Sequence, residues 1–467
     1  MQIYKYIIIV LSIVLLLTNC VKEEYNNDTS ASVTFSTDTI FFDTVFTNIG
    51  STTAYITIHN PYDDFLKINS IGLGKGSSSM YRINVNGNSS DLVRNIELAP
   101  KDSLYIMVEI TVNPNDRNSP FVVQDSIVCD INGKKQDIKL IAWGQNAHYI
   151  DGRYNGHIQT TTWTADKPYL IYNSMMVDSL HKLTIEAGTK IYLHKDSYII
   201  AKGQLDIQGT FEEPVIIQGD RLEESYQDIP GQWGNIILAD GSGTHYIKWA
   251  EIRNGIIGIQ LGGLTGQAPA LLLENSKIEN MNYAGLFSLA STLVAKNTLV
   301  SNCGFYGMAL LAGGSYQFQH CSFVNYWTYT NRSEPTVIVS NNFTTSSGQF
   351  VGNLVQADFS NCIVYGDKDN ELLFSNDAAA DFNYLFENSL IKVDDNFELN
   401  EDHFVDVIKN KDPLFINPYH LDFMLDTLSP ALNIGKVSVA ESAEFDLNNK
   451  SHLINNLPDA GAYERID

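Results

Sequence analysis

Tyr326, Trp327, Tyr329 and Arg332 crowd into one stretch, NYWTYTNRSEP. Exposed aromatic rings stack on the apolar faces of sugars, and a guanidinium meets carboxylates in a planar, bidentate geometry. This stretch is the best candidate for glycan contact. The competing reading packs the same rings onto the wall of the domain that carries them. A second stretch, VDDNFELNED, holds Asp394, Asp395, Glu398, Glu401 and Asp402. These supply enough oxygen ligands in principle for Ca²⁺, but not at the spacing of an EF-hand loop. A solvated loop is the default for such a charge run, so no metal or cofactor is assigned. Cys20, Cys129, Cys303, Cys321 and Cys362 form neither a CxxC pair nor a His/Cys cluster. Apart from Cys20 they are read as buried thiols, with Cys321 and Cys362 the pair expected to lie closest in space.

Composition narrows the partners. The 467 residues include 30 Lys and Arg against 54 Asp and Glu, a formal charge of −24. Such a surface repels nucleic-acid phosphates and anionic headgroups. With 44% hydrophobic and 18% charged residues, the chain has the makings of a substantial core. A monomer is expected.

The chain opens with Lys5 and an apolar run, IIIVLSIVLLLT, too short to span a bilayer, which needs about 20 residues. This is the pattern of a signal-peptide core. The following LTNC resembles the lipobox of bacterial lipoproteins, although Asn19 stands where that pattern prefers a small residue. The resemblance implies a signal peptide over 1–20, an acylated Cys20 and anchorage in membrane lipid. Lys22, Glu23 and Glu24 resemble the surface-export signal of Bacteroidota lipoproteins, which implies an outer-membrane address facing the exterior. The competing reading makes these three the start of a solvated linker, 21–31.

Two periodicities organise the remainder. From 32 to 147, alternating runs are separated by Gly, Asn, Pro and Asp clusters. In SLYIMVEITV, for example, Leu104, Ile106, Val108, Ile110 and Val112 share one face. This predicts a small antiparallel β-sandwich, and FDTVFTNIGS, NPYDD and LAPKDSLYIMVE resemble immunoglobulin-like modules of surface lipoproteins. Beyond it, Asn254, Asn280, Asn302 and Asn325 each follow an apolar residue by two, at separations of 26, 22 and 23 residues. A period in the low twenties marks a stacked solenoid, in which an Asn at each turn bonds its neighbours. A second column runs through Asn275, Asn297, His320 and Asn361, where His320 is read as a structural substitute for Asn. LTIEAGTKIYL, GQLDIQGTFEEPVIIQG and QWGNIIL resemble the first coils of the pectate-lyase-like superfamily. That implies an all-β chain with a right-handed parallel β-helix over 148–467. The register breaks after Tyr326 and the next coil phrase, DFSNCIVYG, comes only near 358, so an insertion is expected near 326–357. DPLFINPYHLDFML, LSPALNIGK and LPDAGAYE resemble the closing segment of many β-helix proteins, which implies a cap near 412–467 that covers the open core.

Pectate-lyase-like enzymes that cleave uronic-acid chains would require a carboxylate-bound calcium with an Arg or Lys base. Arginines are scarce beyond the sandwich, and the Trp-Ile-Asp-His, Arg-x-Pro-x-x-Arg, Asn-Thr-Asp and Gly-His-Gly phrases of known enzymes of this fold are missing. The expected function is glycan or matrix binding without catalysis. The alternative is a polysaccharide lyase or glycoside hydrolase, and no catalytic residue is assigned. Six Asp-Ser/Thr-apolar tripeptides, beginning at Asp38, Asp43, Asp102, Asp125, Asp178 and Asp426, resemble O-glycosylation sequons of exported Bacteroidota proteins, and equally mark turns and strand edges.

Overall fold

Strand-period alternation builds the N-terminal unit, which ends at Asn146. A computed structural model describes residues 24–346, 348–454 and 456–466, so Cys20, Lys22 and Glu23 lie outside the described residues. One five-stranded sheet takes the order Thr34–Phe35, Ala54–His59, Ser103–Ile110, Tyr81–Val85, Asn88–Ser89. The other runs Thr39–Phe46, Lys134–Gln145, Phe121–Ile131, Leu66–Leu73, Leu92–Leu98. The predicted face of Leu104, Ile106, Val108 and Ile110 is buried, meeting Ile68, Ile127, Ile138 and Leu140 in one core. The sheets are antiparallel, as expected, with one exception. Thr39–Phe46 runs parallel to Lys134–Gln145, in a unit whose other strand pairs are antiparallel. The stretch read as a linker lies against the sandwich: Tyr25 packs on Phe65 at 5.6 Å, Glu24 accepts a bond from Phe65 N at its carbonyl, and Ala31 enters the core.

From Ala147 onward the chain winds through three faces in turn, forming a right-handed parallel β-helix. The first face has eleven strands, from His148–Asp151 to Ile408–Lys409. The second has nine, from His157–Ile158 to Leu372–Ser375, and the third has ten, from Thr161–Trp163 to Phe404–Val405. Pairing within each face is parallel and nearly in register, so inward side chains stack in files about 4.8 Å apart. Ile252, Ile278, Val300, Phe323, Val364 and Ile391 form one such file, fully buried. Parallel faces covered on the inside read as apolar runs, which is why the coils were visible in the sequence. Trp163 stacked on Tyr169 at 4.1 Å closes one end of the core. At the other end, Phe359 and Phe386 stack at 4.3 Å, with Phe397, Leu399 and Phe404 packed beyond them.

The corners explain the asparagine columns. Between first and second faces, Asn254, Asn280 and Asn302 have φ of +65°, +60° and +54°. This left-handed conformation is one that Asn accepts more readily than most residues. Asn280 Nδ2 donates to Asn254 Oδ1 at 2.7 Å, and Asn302 Nδ2 to Asn280 Oδ1 at 3.2 Å. Asn325 sits in the strand Ser322–Asn325 and instead clamps the backbone of Cys303, with bonds of 3.2 and 2.8 Å. Since Asn302 gives the ladder one bond at a left-handed position, Asn302→Gly should stay within about 1 kcal/mol of the parent by denaturant unfolding. A loss above about 2 kcal/mol would contradict this account of the corner.

Between third and first faces, Asn275, Asn297, His320, Asn361 and Asn388 all have φ between +47° and +55°. Their side chains serve the C-terminal segment. Asn275 Nδ2 donates to Phe445 O, Asn361 Nδ2 to Lys436 O, and Asn388 Nδ2 to Ile434 O. The cap expectation is therefore corrected: this segment runs back along the outside of the solenoid as a strap. The cause is apolar. Leu299, Val324, Ile363 and Leu390 point outward from the first face and are buried beneath Phe415, Phe423, Ala431, Leu447 and Tyr463. The single insertion is likewise corrected to two excursions, a loop over 326–336 and a hairpin of Asn342–Thr345 with Gly348–Val351, because Val337–Ser340 between them is a strand of the second face.

Candidate functional site

Two successive corners between first and second faces place an aromatic residue at the same offset. Tyr283 follows Asn280 by three residues and Phe305 follows Asn302 by three, so their rings stack across successive coils at 5.0 Å and 13°. Tyr306 begins the strand Tyr306–Leu311 and stands edge-on to Phe305 at 5.2 Å and to Tyr283 at 6.4 Å. Phe287, outward on Ala284–Leu289, extends the ridge across the second face toward Phe343 of the hairpin at 6.2 Å. These five rings are half-buried, and the floor between them is apolar, with Ala309 and Ile338 in register beneath Phe287.

One carboxylate meets this ridge. Tyr306 Oη donates to Glu334 Oε2 at 3.2 Å. Burial, and then the Glu334 charge, push the Tyr306 phenol well above its ordinary range; Tyr283 is raised for the same reasons. Both phenols thus remain protonated donors at physiological pH. Glu334 is held by the loop that contains the sequence-predicted residues, and the structure disperses that cluster. Trp327 is 5% exposed, lies against Gly304 and donates Nε1–H to Thr330 at 2.9 Å. Tyr326 packs edge-on against Phe415 and Tyr419 of the strap. Arg332 is buried between Glu371, at 2.5 and 2.7 Å, and Asp367 at 2.6 Å, while its Nη1 also donates to Glu334 O at 2.8 Å. Only Tyr329 offers an open ring, and its hydroxyl is anchored on Asp228 O. The reading of these four as an exposed patch gives way to one in which they anchor the loop, because each finds a partner from another coil.

Other chemically suggestive groups are structural. Ser242 Oγ lies 2.7 Å from His245 Nε2, but His245 Nδ1 accepts from Leu205 N, so Nε2 carries the proton and donates it to Oγ. That serine is not activated as a nucleophile. In the acidic stretch, Asp394 bonds Asn396 N and Asp395 bonds Asn410 Nδ2. No group of three or more His, Cys, Asp or Glu arranged to hold a metal occurs among the described residues. Cys129, Cys303, Cys321 and Cys362 are buried free thiols, and burial, followed by the hydrogen-bonded thiol of Cys321, drives Cys362 well above its ordinary pKa.

The coil geometry has a counterpart among known families. Residues 155–264 match the family model of a pectate-lyase like beta helix domain. The match covers the first coils and reaches the second-face strand Gly255–Leu261, just before the aromatic ridge begins. No curated protein matches the chain. Among solved structures, the chain is similar to an ASH/PapD-like domain of human CEP192, PapD-like domain 7, at 12% identity over 28% of this chain and 94% of that one, with a TM-score of 0.17. It is also similar to the catalytic domain of a GH87 alpha-1,3-glucanase variant in complex with tetrasaccharides, at 11% identity over 77% of this chain and 88% of that one, also with a TM-score of 0.17.

Proposed function

We propose that this protein is a surface lipoprotein whose β-helix binds a neutral polysaccharide along the aromatic ridge of its second face. The observation that carries the reading is the Tyr283–Phe305 stack across two successive coils, continued by Tyr306 and Phe287. Aromatic faces at fixed intervals suit a ligand that is itself a repeat, and the Tyr306–Glu334 pair supplies a donor and an acceptor beside them. Neutral chains are favoured for two reasons. The chain carries a formal charge of −24, and Arg332, in the loop that holds Glu334 against the ridge, is consumed by Glu371 and Asp367. Acylation at Cys20 would hold the protein in the outer membrane, Lys22, Glu23 and Glu24 would direct it outward, and an immunoglobulin-like role for the sandwich would be that of a spacer.

The double substitution Tyr283→Ala/Phe305→Ala should weaken binding to the recognised polysaccharide by tenfold or more, about 1.4 kcal/mol, in affinity electrophoresis across a panel of neutral and acidic glycans. Unchanged affinity would remove the ridge from consideration. The same incubations should be followed for new reducing or unsaturated ends. Their appearance, lost on Glu334→Gln, would replace binding with hydrolysis or lyase chemistry at this face.

A further inference from the structure

A second concave surface of the β-helix lies on a different face. A cleft of about 680 Å³ opens between the third face and the strap, floored by Asp206, Tyr246 and Leu272 and walled by Phe211, Trp249 and Asn449. Asp206, Tyr246 and Leu272 are direct neighbours in three consecutive coils, so the carboxylate, the ring and the apolar side chain succeed one another about 4.8 Å apart. Asp206 is 6% exposed and firmly oriented. Its Oδ2 accepts from Lys182 Nζ at 2.5 Å and from Gln208 Nε2 at 2.9 Å, and neither bond engages Oδ1. Tyr246 and Phe211 are each 43% exposed, and Phe211 meets Trp249 edge-to-face at 5.5 Å. Beside this floor runs a second register column, Lys248, Glu274 and Lys296, of alternating charge. The cleft continues along it beneath Ser442 to Phe445 of the strap.

We propose that this cleft is a second, separate binding site for a short neutral saccharide. A pyranose presents an apolar face and a rim of hydroxyls. The face would lie on Tyr246 and Leu272, with Phe211 and Trp249 at its edge, while the free Asp206 Oδ1 would accept from a hydroxyl in a charge-assisted hydrogen bond. Lys248, Glu274 and the Asn449 amide supply both donors and acceptors for the remaining rim. The cleft matches the general character of small-ligand sites, concave and largely apolar with a few oriented polar groups. Lys182 offsets Asp206, Lys248 stands 3.7 Å from Glu274, and Glu212 adds one further carboxylate to the wall, so the cleft is weakly negative, which selects against strongly anionic ligands. The site stands on its own residues and does not require the ridge.

Isothermal titration of the full mature chain with a panel of neutral trisaccharides tests this and separates it from the ridge. Two sites are expected for the recognised trisaccharide. Tyr246→Ala should abolish one of them, or weaken it at least tenfold, and leave the other unchanged, while Asp206→Asn should weaken the same site several-fold. Tyr283→Ala/Phe305→Ala should remove only the other. Tyr246→Ala should retain the parent circular dichroism spectrum and melting temperature, since it removes an exposed ring; Asp206→Asn should retain the spectrum with only a small drop in melting temperature, since Lys182 loses its partner but stays in contact with water. A single site that survives Tyr246→Ala and vanishes in the ridge variant would overturn the cleft and leave the ridge standing. A single site with the opposite behaviour would establish the cleft and retire the ridge. Absence of heat with every trisaccharide would overturn the cleft outright.

Discussion

Replacing Arg332 by methionine should lower the stability of the β-helix by about 3–5 kcal/mol, because it leaves the Glu371 carboxylate buried without its counter-charge. The Glu371 side chain is fully buried, and the Arg332 side chain is 2% exposed. Around the carboxylate, Thr336 N, Thr336 Oγ1 and Lys368 N donate at 2.9, 2.7 and 2.8 Å. These neutral donors orient the charge without cancelling it. The double substitution Arg332→Met/Glu371→Leu should be milder than Arg332→Met alone, since removing both charges leaves no ion stranded. Chemical denaturation of the three variants checks the ordering, and an Arg332→Met protein within 1 kcal/mol of the parent would show that the pair is not buried as described. A functional consequence follows from Arg332 Nη1 donating to Glu334 O. Loss of the guanidinium should free the loop and remove Glu334 from Tyr306, weakening ridge binding even in protein that remains folded.

Arg332 also shows where the sequence stops being informative. Read locally, NYWTYTNRSEP is a loop rich in rings and ending in a cation, and nothing in it distinguishes an exposed platform from an anchor. The distinction depends on residues one coil away: Gly304 makes room for Trp327, and Glu371 receives Arg332. The solenoid itself was legible because its cause is periodic. An Asn at a left-handed corner recurs wherever the coil closes, so Asn254, Asn280 and Asn302 are visible without coordinates. The ridge had the same kind of signal in the offset from Asn280 to Tyr283 and from Asn302 to Phe305, which reading each column only for its asparagines passed over. Coil length fails as a guide at 326–353, where two excursions on either side of one short strand look like a single insertion. The strap is visible as a closing segment, but its path along the outside has no local signal, because its partners lie far away in sequence. His452 meets Asn297 across 155 residues, and Ala462 N donates to Ser322 across 140.

That strap should give the protein an unusual pH response. His452 lies between Glu464, whose Oε2 is 3.0 Å from Nδ1, and Asn297, whose Oδ1 is 3.1 Å from Nε2. His320 stacks on it at 3.8 Å. Burial pushes Glu464 up to about 7 and Asp459 up to about 6, and raises Asp446 as well. The same burial lowers His452 to about 4 and His320 well below its ordinary value. The raised carboxyls contribute stability that is complete below about pH 4 and is lost as pH rises through 6 to 7. The depressed imidazoles contribute stability that is complete above about 6.5 and is lost as pH falls toward 4. In the folded strap the carboxyls hold protons over the same range in which the unfolded chain holds them on its histidines, so the two dependences nearly cancel from about pH 5.5 to 7.5. His320→Asn places at this corner the residue found at Asn297 and Asn361, and removes one of the compensating imidazoles. The folded variant then binds roughly half a proton more than the unfolded chain, and its stability should fall by about 2 kcal/mol as pH rises from 4.5 to 7.5. Melting curves across that range provide the check. A flat profile for the variant would show that the carboxyls under the strap are ionised throughout, whereas a declining one identifies them as the groups that His320 compensates.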